Sequence, residues 1–218
     1  MGVSTTFTKQ LGAASSDNIC TSQSGSAGTP LTLNGAAVTS GVATIDTATA
    51  ANSAIGRRVT ISYTGTDTNF TIVGTNAGGA PIADVAIGSS GTAQSNLDFV
   101  TVTSITPVGG GLTGVTAGTN GVGSSPWVSL NWRGYSPMNV GVAVELVSGS
   151  ANFTIQHTYD DPNNLVAGLL YPLPFSSIIV GAAATIDGAY TTPIKAVRLL
   201  INSGTGELRT RFLEAGAG

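Results

Sequence analysis

Short runs in which hydrophobic and polar residues alternate recur along most of the chain, separated by clusters of Gly, Asn, Ser and Pro. Alternation with a period of two and many β-branched residues are typical of strands with one buried face. The runs are 31–35, 42–46, 58–65, 69–74, 82–88, 99–105, 127–132 and 140–146. No segment carries a long apolar stripe at helical spacing. The pattern therefore predicts an all-β protein with antiparallel sheets.

The same pattern predicts how the chain is divided. Residues 1–30 are rich in Ser, Thr, Gly and Ala and have no sustained period, which predicts an extended N-terminal arm that orders against a neighbour. A Gly-rich stretch before Pro126 predicts a boundary near residues 121–125. We expect two tandem antiparallel β-sandwich or jelly-roll-like units after the arm, at 31–122 and 123–218.

An internal repeat supports two related units. Residues 59, 61, 63, 69–72 and 75 match residues 142, 144, 146, 152–155 and 158 at a constant offset of 83. Phe70 and Phe153 are equivalent in this alignment and are predicted to be core residues. The alternative is coincidence, because chains rich in Thr, Val and Gly generate chance matches.

Turn residues predict three hairpins. Residues 65–68 and 76–79 contain the Gly, Asn and Asp residues that tolerate a positive φ. Residues 202–206 separate two further alternating runs, in which we expect Lys and Arg to point outward and aliphatic side chains inward.

Composition narrows the function. The 218 residues include only 8 Lys and Arg and 11 Asp and Glu, so 9% are charged, with a net charge of −3. A dedicated nucleic-acid binder needs clustered cations, so direct binding to nucleic acid is not expected. With 41% hydrophobic residues the chain can still bury a core. A folded protein with so few charges is predicted to cover much of its surface with other protein.

The scarce cations are the candidate docking groups. Guanidinium groups bind acidic surfaces with bidentate geometry, so these residues are predicted to contact protein partners. The alternative is that they are solvated edge residues that prevent sheet edges from aggregating. The candidates are Arg57, Arg58, Lys195, Arg198, Arg209 and Arg211.

The sequence offers little for catalysis, so we expect no enzyme, no cofactor and no metal. Cys20 is the single cysteine and is predicted to be an idle thiol. His157 follows Phe153 and Ile155 with strand periodicity and lacks a nucleophile elbow, so we expect a core or interface histidine. Asp160 and Asp161 are predicted to begin a turn.

Two other features have alternative interpretations. Trp127, Trp132 and Tyr135 form a local aromatic cluster that would line an exposed groove in a glycan-binding module, but core packing is the preferred interpretation. The apolar window 165–186 has the length of a membrane span, but Pro172 and Pro174 favour a loop and strands. We expect neither a membrane segment nor a secretory signal.

Several segments resemble structural proteins of tailed-bacteriophage virions. The resemblance rests on residues 56–61, 68–79 and 99–105, and in the second half on 144–158, 193–199 and 204–206. It covers roughly residues 31–214. It implies β-sandwich or jelly-roll modules repeated symmetrically on a capsid or tail, with no catalytic residues.

Together these observations predict a non-enzymatic virion protein, assembled in the bacterial host cytoplasm. The first expectation is a capsid decoration or cement protein that forms a symmetric homo-oligomer and binds the major capsid protein. The alternatives are a head-to-tail neck or tail accessory ring that binds portal or tail proteins, a glycan-binding tail module, and an extracellular adhesin. The adhesin would require an export route and calcium ligands, which the sequence does not display.

Overall fold

The computed structural model describes residues 3–45, 55–131, 139–162, 173–175 and 179–214. These residues contain seventeen strands and no helix, and all strand pairs are antiparallel. The prediction of an all-β protein with antiparallel sheets is confirmed. The strands are β1 Val3–Lys9, β2 Ser15–Gly25, β3 Val38–Thr39, β4 Val42–Thr44, β5 Gly56–Thr64, β6 Phe70–Thr75, β7 Pro81–Ser89, β8 Thr92–Phe99, β9 Thr101–Pro107, β10 Leu112–Ser124, β11 Val128–Ser129, β12 Val140–Ser148, β13 Ala151–Thr158, β14 Leu173–Pro174, β15 Ile186–Tyr190, β16 Ala196–Gly204 and β17 Glu207–Glu214.

The strands form one small sheet and one large sheet. The small sheet has the order β1-β17-β12-β15. The large sheet has the order β14-β13-β16-β10-β5-β8-β7-β6-β9-β4-β3, with β2 beside β10 and β11 beside β16. Strands that are distant in sequence are therefore neighbours, such as β1 and β17. A chain of consecutive hairpins would not have this order.

Two separate hydrophobic cores lie within this arrangement. Core 1 contains buried residues between Ile19 and Ala117. Core 2 contains buried residues between Leu130 and Phe212, together with Leu11 and Ile55. Core 2 lies between the small sheet and the β13-β16 part of the large sheet, because both contribute inward side chains to it.

Residues 28–37 form hydrogen bonds with two strands that contribute to core 1, β9 and β2. The backbone N–H of Leu31 donates to the carbonyl of Ile105 on β9 (2.8 Å), and that of Ala37 donates to Asn18 on β2 (2.8 Å). The Gln23 side chain adds two hydrogen bonds to the backbone of Thr32. β2 pairs with β10, and both strands contribute buried side chains to core 1.

The predicted N-terminal arm is not observed in the described part of residues 1–30. β1 pairs with β17 over its whole length, and β2 pairs with β10. Leu11, Ile19 and Cys20 are buried in the two cores. Few apolar side chains are enough here because the neighbouring strands supply the remainder of each core. At Gly118 of β10 a Cβ atom would collide with the backbone of Ser15, so the close contact of β2 with β10 requires glycine.

One of the three predicted hairpins is confirmed and two are wrong. β6 and β7 pair across residues 76–79, where Asn76 accepts hydrogen bonds from two backbone N–H groups and Gly79 has a φ of 79°. β5 and β6 do not pair with each other, and neither do β16 and β17. Both sides of β16 are largely buried, so the turn at Gly204 (φ 89°) carries the chain from one sheet to the other.

The repeated segments occupy comparable places. Phe70 and Phe153 are both fully buried, one in each core, on β6 and β13. In each half the preceding repeat strand, β5 or β12, does not pair with the strand that follows it. The duplication itself stays a prediction.

Candidate interaction surface

Asp98 on β8 is the centre of a cluster of charged and polar side chains where the two halves of the chain meet. We call Arg58, Asp98, Ser124, Gln156 and Arg198 the junction cluster. Asp98 accepts a hydrogen bond from Ser124 Oγ (2.6 Å) and forms ion pairs with Arg58 Nε (3.4 Å) and Arg198 Nη1 (3.7 Å). Its side chain is only 5% exposed. Both carboxylate oxygens therefore have charged or hydroxyl partners, as a buried charge requires.

Arg198 on β16 completes the junction cluster from the other half. Its Nε donates to Gln156 Oε1 (2.8 Å), and its Nη1 donates to Ser124 Oγ (3.1 Å). The guanidinium also lies over the Trp127 ring, with Cζ 4.7 Å from the ring centroid. Burial lowers the pKa of Arg198, and Asp98 opposes that effect. These contacts give Arg198 a structural role inside the molecule.

Arg57 is also an internal residue. It is fully buried and donates hydrogen bonds to the carbonyls of Ala13 (3.2 Å) and Asn120 (2.7 Å). It therefore ties the segment before β2 to β10. In this fold the guanidinium groups of Arg57 and Arg198 bind groups of the chain itself, and docking of a partner by either residue stays a prediction.

The remaining predicted docking residues are more exposed, and each has an acidic neighbour. Arg209 and Arg211 on β17 both bind Glu145 at 3.2 Å, with the Arg211 side chain 46% exposed. Lys195 lies 3.1 Å from Asp161. Docking by these three residues, and by the partly exposed Arg58, stays a hypothesis.

Trp127 is half-buried beneath Arg198 and does not present a free ring. The predictions for Trp132 and Tyr135 fall outside the described residues. The aromatic groove expected of a glycan-binding module is therefore not seen at the one member of the cluster that the structure describes.

His157 lies in an aromatic environment. Its Nδ1 is 3.3 Å from Tyr190 Oη, and its ring packs edge-on against Tyr190 and Tyr159. Burial lowers the pKa of His157 and raises that of Tyr190, so a protonated hydroxyl faces a neutral imidazole at neutral pH. The described contacts of His157 therefore agree with the predicted packing role.

A cleft of about 320 Å³ lies close to this cluster. It is lined by Tyr159, Asp161, Pro193, Ile194 and Lys195. Tyr159 is 62% exposed, so its ring is available to a ligand. Within the described residues, no group of three or more His, Cys, Asp or Glu side chains is placed to hold a metal ion.

Cys20 is buried in core 1. Its thiol receives a hydrogen bond from Gln23 Nε2 (2.8 Å), and burial raises its pKa. The group is thus mainly a protonated thiol at neutral pH, and this agrees with the predicted idle role. Over the part of the chain that the structure describes, no helix has the length and apolar character needed to cross a membrane.

Among the described residues, the largest set of exposed hydrophobic side chains lies on β6 and β7 and directly after β9. We call Val73, Val85, Ile87 and Val108 the apolar face. The strand register places Val85 beside Thr71, which lies beside Thr106. Ile87 is two residues beyond Val85 on β7, and the backbone N–H of Val108 donates to the carbonyl of Asn69, next to β6 (2.9 Å). Ile87 is 69% exposed and Val108 is 60% exposed.

No charged side chain interrupts the apolar face within β6, β7 and β9. Asp84 is the one ionisable residue of these three strands, and it points to the opposite side, where it accepts hydrogen bonds from the backbone of Asn96 and Leu97. Sequence analysis missed this face. The alternation of Val85 and Ile87 with Asp84 and Ala86 was a usable signal, but it did not show which side faces solvent.

The described residues thus contain two separate features. The junction cluster makes contacts within the molecule, and the apolar face is exposed to solvent. Exposed β-branched side chains on a sheet face without charged side chains are suited to contact with another protein. No protein-family model, curated protein or solved structure matches this chain.

Proposed function

We propose that the chain is a non-enzymatic structural protein of a tailed-phage virion, and that it acts as a capsid decoration or cement protein. The observation that carries the proposal is the apolar face on β6, β7 and β9. A monomer in water gains nothing from exposing Ile87 and Val108, whereas a subunit in an assembly removes them from water.

Charge distribution favours a protein partner of this kind. Between Arg58 and Arg133 the sequence contains no Lys or Arg. The β6, β7 and β9 region therefore has no cation with which to bind nucleic acid or an anionic membrane. An apolar contact repeated around a symmetric particle needs only modest affinity at each site, because many sites act together.

The sequence resemblance supplies the virion setting. The proposal also includes two tandem sandwich or jelly-roll-like units. The presence of two cores, each with an equivalent buried phenylalanine, supports that division. The proposed partners are neighbouring virion subunits, with the major capsid protein first among them.

Reconstitution with particles tests the proposal. Particles that lack this chain are incubated with the purified protein, and the bound fraction is measured after sedimentation. We expect wild-type protein to bind at a fixed copy number and Ile87→Lys or Val85→Lys to lose binding. Ser16→Lys, which adds the same charge at an exposed position on β2, is the matched control. Absence of wild-type binding to any virion component contradicts the proposal.

Cryo-electron microscopy of the same particle tests the position. Density over the capsid lattice is expected for a decoration protein. A ring of about six or twelve copies at one vertex would move the function to the neck or tail, where the same apolar face would contact portal or tail proteins.

The cleft beside Tyr159 favours a second candidate function, which is glycan binding. An exposed tyrosine ring can stack on a sugar, and Asp161 and Lys195 can bond to its hydroxyl groups. The test is a binding screen with bacterial surface glycans. Loss of binding in Tyr159→Ala with an unchanged apolar-face interaction would support this role, and no binding in the screen would reject it.

A further inference from the structure

On the outer face of the small sheet, a positive charge lies on one side of the central strand β12 and a negative charge lies on the other side. Strand register aligns Thr6, Arg211, Ala143 and Asp187 in one row across β1, β17, β12 and β15. Arg211 and Asp187 thus lie on either side of Ala143, one strand away in each direction. Val142 and Val144, which alternate with Ala143, face core 2, so this row faces solvent.

The neighbouring row continues the same arrangement with uncharged residues. It places Leu213, Gly141 and Ala189 side by side on β17, β12 and β15. Leu213 is 56% exposed, and Gly141 adds no side chain at the centre. A projecting residue on one side of the face is therefore matched by a small residue on the other.

The charges of this face differ in how far they are already neutralised. Arg211 shares Glu145 with Arg209, so one carboxylate faces two cations. Asp187 is exposed and has no ion pair or hydrogen bond with the described residues. Glu207 lies beyond Arg209 at the start of β17, away from the row of Ala143. An excess cation and an unpaired anion thus lie on opposite sides of one row.

We propose that this outer face binds the same face of a second copy of the chain, around a two-fold axis that runs parallel to the strands above Ala143. Such an axis exchanges the β17 side with the β15 side and keeps each row opposite itself. Arg211 of each copy then faces Asp187 of the other, and Leu213 faces Ala189. A two-fold contact forms each of these pairs twice, and it also brings Glu145 of the two copies together near the axis, where Arg209 and Arg211 of each copy neutralise it.

The size of the face sets the expected strength. Only β17, β12 and β15 overlap around this axis, and three strands at a spacing of about 4.8 Å give a width of roughly 15 Å, which is small for a stable interface. The dimer is therefore weak in dilute solution and becomes populated where copies are concentrated. This inference does not depend on the apolar face or on the virion proposal, because it concerns the isolated protein.

Charge reversal tests the contact with a built-in rescue. Sedimentation velocity over a concentration series measures self-association of the full chain. We expect wild type to dimerise, and Asp187→Arg or Arg211→Asp alone to weaken dimerisation by roughly tenfold or more, because each places like charges opposite each other. An equimolar mixture of the two variants should recover the dimer, because both contacts between unlike variants again join opposite charges.

Asp17→Arg, on an exposed residue of β2, makes the same change in net charge as Asp187→Arg and should leave dimerisation unchanged. Circular dichroism checks that each variant is folded, and Asp187→Asn provides a milder variant with a smaller expected loss. A monomeric wild type at every concentration overturns the proposal. Single variants that dimerise like wild type, or a mixture that fails to recover, also overturn it.

Discussion

Arg198 Nη1 lies 3.7 Å from Asp98 Oδ2, and this ion pair joins a strand that contributes to core 2 with a strand that contributes to core 1. Ser124 Oγ bridges the same two side chains. The contact lies beside β10, which pairs with strands of both halves. The junction cluster therefore stabilises the relative placement of the two cores.

Replacing Asp98 with Asn should lower the free energy of unfolding by about 3 kcal/mol, which is the lower end of the range for breaking a buried ion pair. The lower end applies because Arg58, one of the two cations that lose their partner, is partly exposed and can be solvated. The physical reason is that Arg198 loses its counter-charge while it remains largely buried. Urea unfolding measures the change in the free energy of unfolding. Asp17→Asn, at an exposed position, is the control and should change it by less than about 0.5 kcal/mol. Equal effects in both variants would contradict this role.

Deleting residues 1–25 should abolish cooperative folding. The deleted segment supplies buried side chains to both cores. Its loss also leaves unpaired the backbone groups of β17 that bond to β1 and those of β10 that bond to β2. Ile19→Ala is the milder variant and should cost about 2 to 5 kcal/mol, with Ser16→Ala as the exposed control. Thermal unfolding monitored by circular dichroism provides the readout. A truncated protein with a wild-type melting transition would show that these strands are dispensable.

Phe70→Ala and Phe153→Ala should each cost about 3 to 5 kcal/mol, because both rings are fully buried and leave a cavity when removed. The two residues belong to different cores, so the comparison also measures how strongly the cores depend on each other. A single unfolding transition in both variants is expected if the cores unfold together. Two separate transitions, with only one shifted in each variant, would show independent units.

Lowering the pH from 7.5 to 5.5 should reduce stability through His157. Burial places the folded-state pKa below the ordinary value near 6.5. Above pH 6.5 the His157 imidazole is neutral in both the folded and the unfolded protein. As the pH falls below 6.5, the imidazole of the unfolded chain binds a proton first, so the free energy of unfolding decreases until the pH is below the folded-state pKa. Urea unfolding at both pH values should show a smaller loss for His157→Gln. Equal losses in the two proteins would exclude His157 as the cause.

The strands themselves were readable from sequence because each half-buried strand alternates, as β5 does at Val59, Ile61 and Tyr63. Their partners were not readable. The runs that became β16 and β17 have the alternation and turn residues of a hairpin, yet β16 is buried on both faces and lies in the other sheet. Turn residues show where the chain reverses direction. Which strands then pair depends on how all the strands together bury their apolar faces.

The charged residues show the same limit. Arg57 and Arg198 were identified as docking groups because cations are scarce, but both are used inside the fold. Asp98 is 100 positions from Arg198 in sequence, so no local pattern indicated their contact. By contrast, the core positions predicted for Phe70 and Phe153 from the internal repeat, and the idle thiol predicted for the single cysteine Cys20, agree with the burial of these residues.

β10 has a mechanical consequence. Near its end, Gly123 pairs with Arg57 on β5 and with Ile201 on β16, within the region where a boundary at 121–125 was predicted. The backbone that connects the two halves is thus hydrogen-bonded to a strand on each side and is not a flexible linker. Separating the two halves at this point would require the hydrogen bonds on both sides of β10 to break together, so residues 121–125 should act as a rigid connection and not as a hinge.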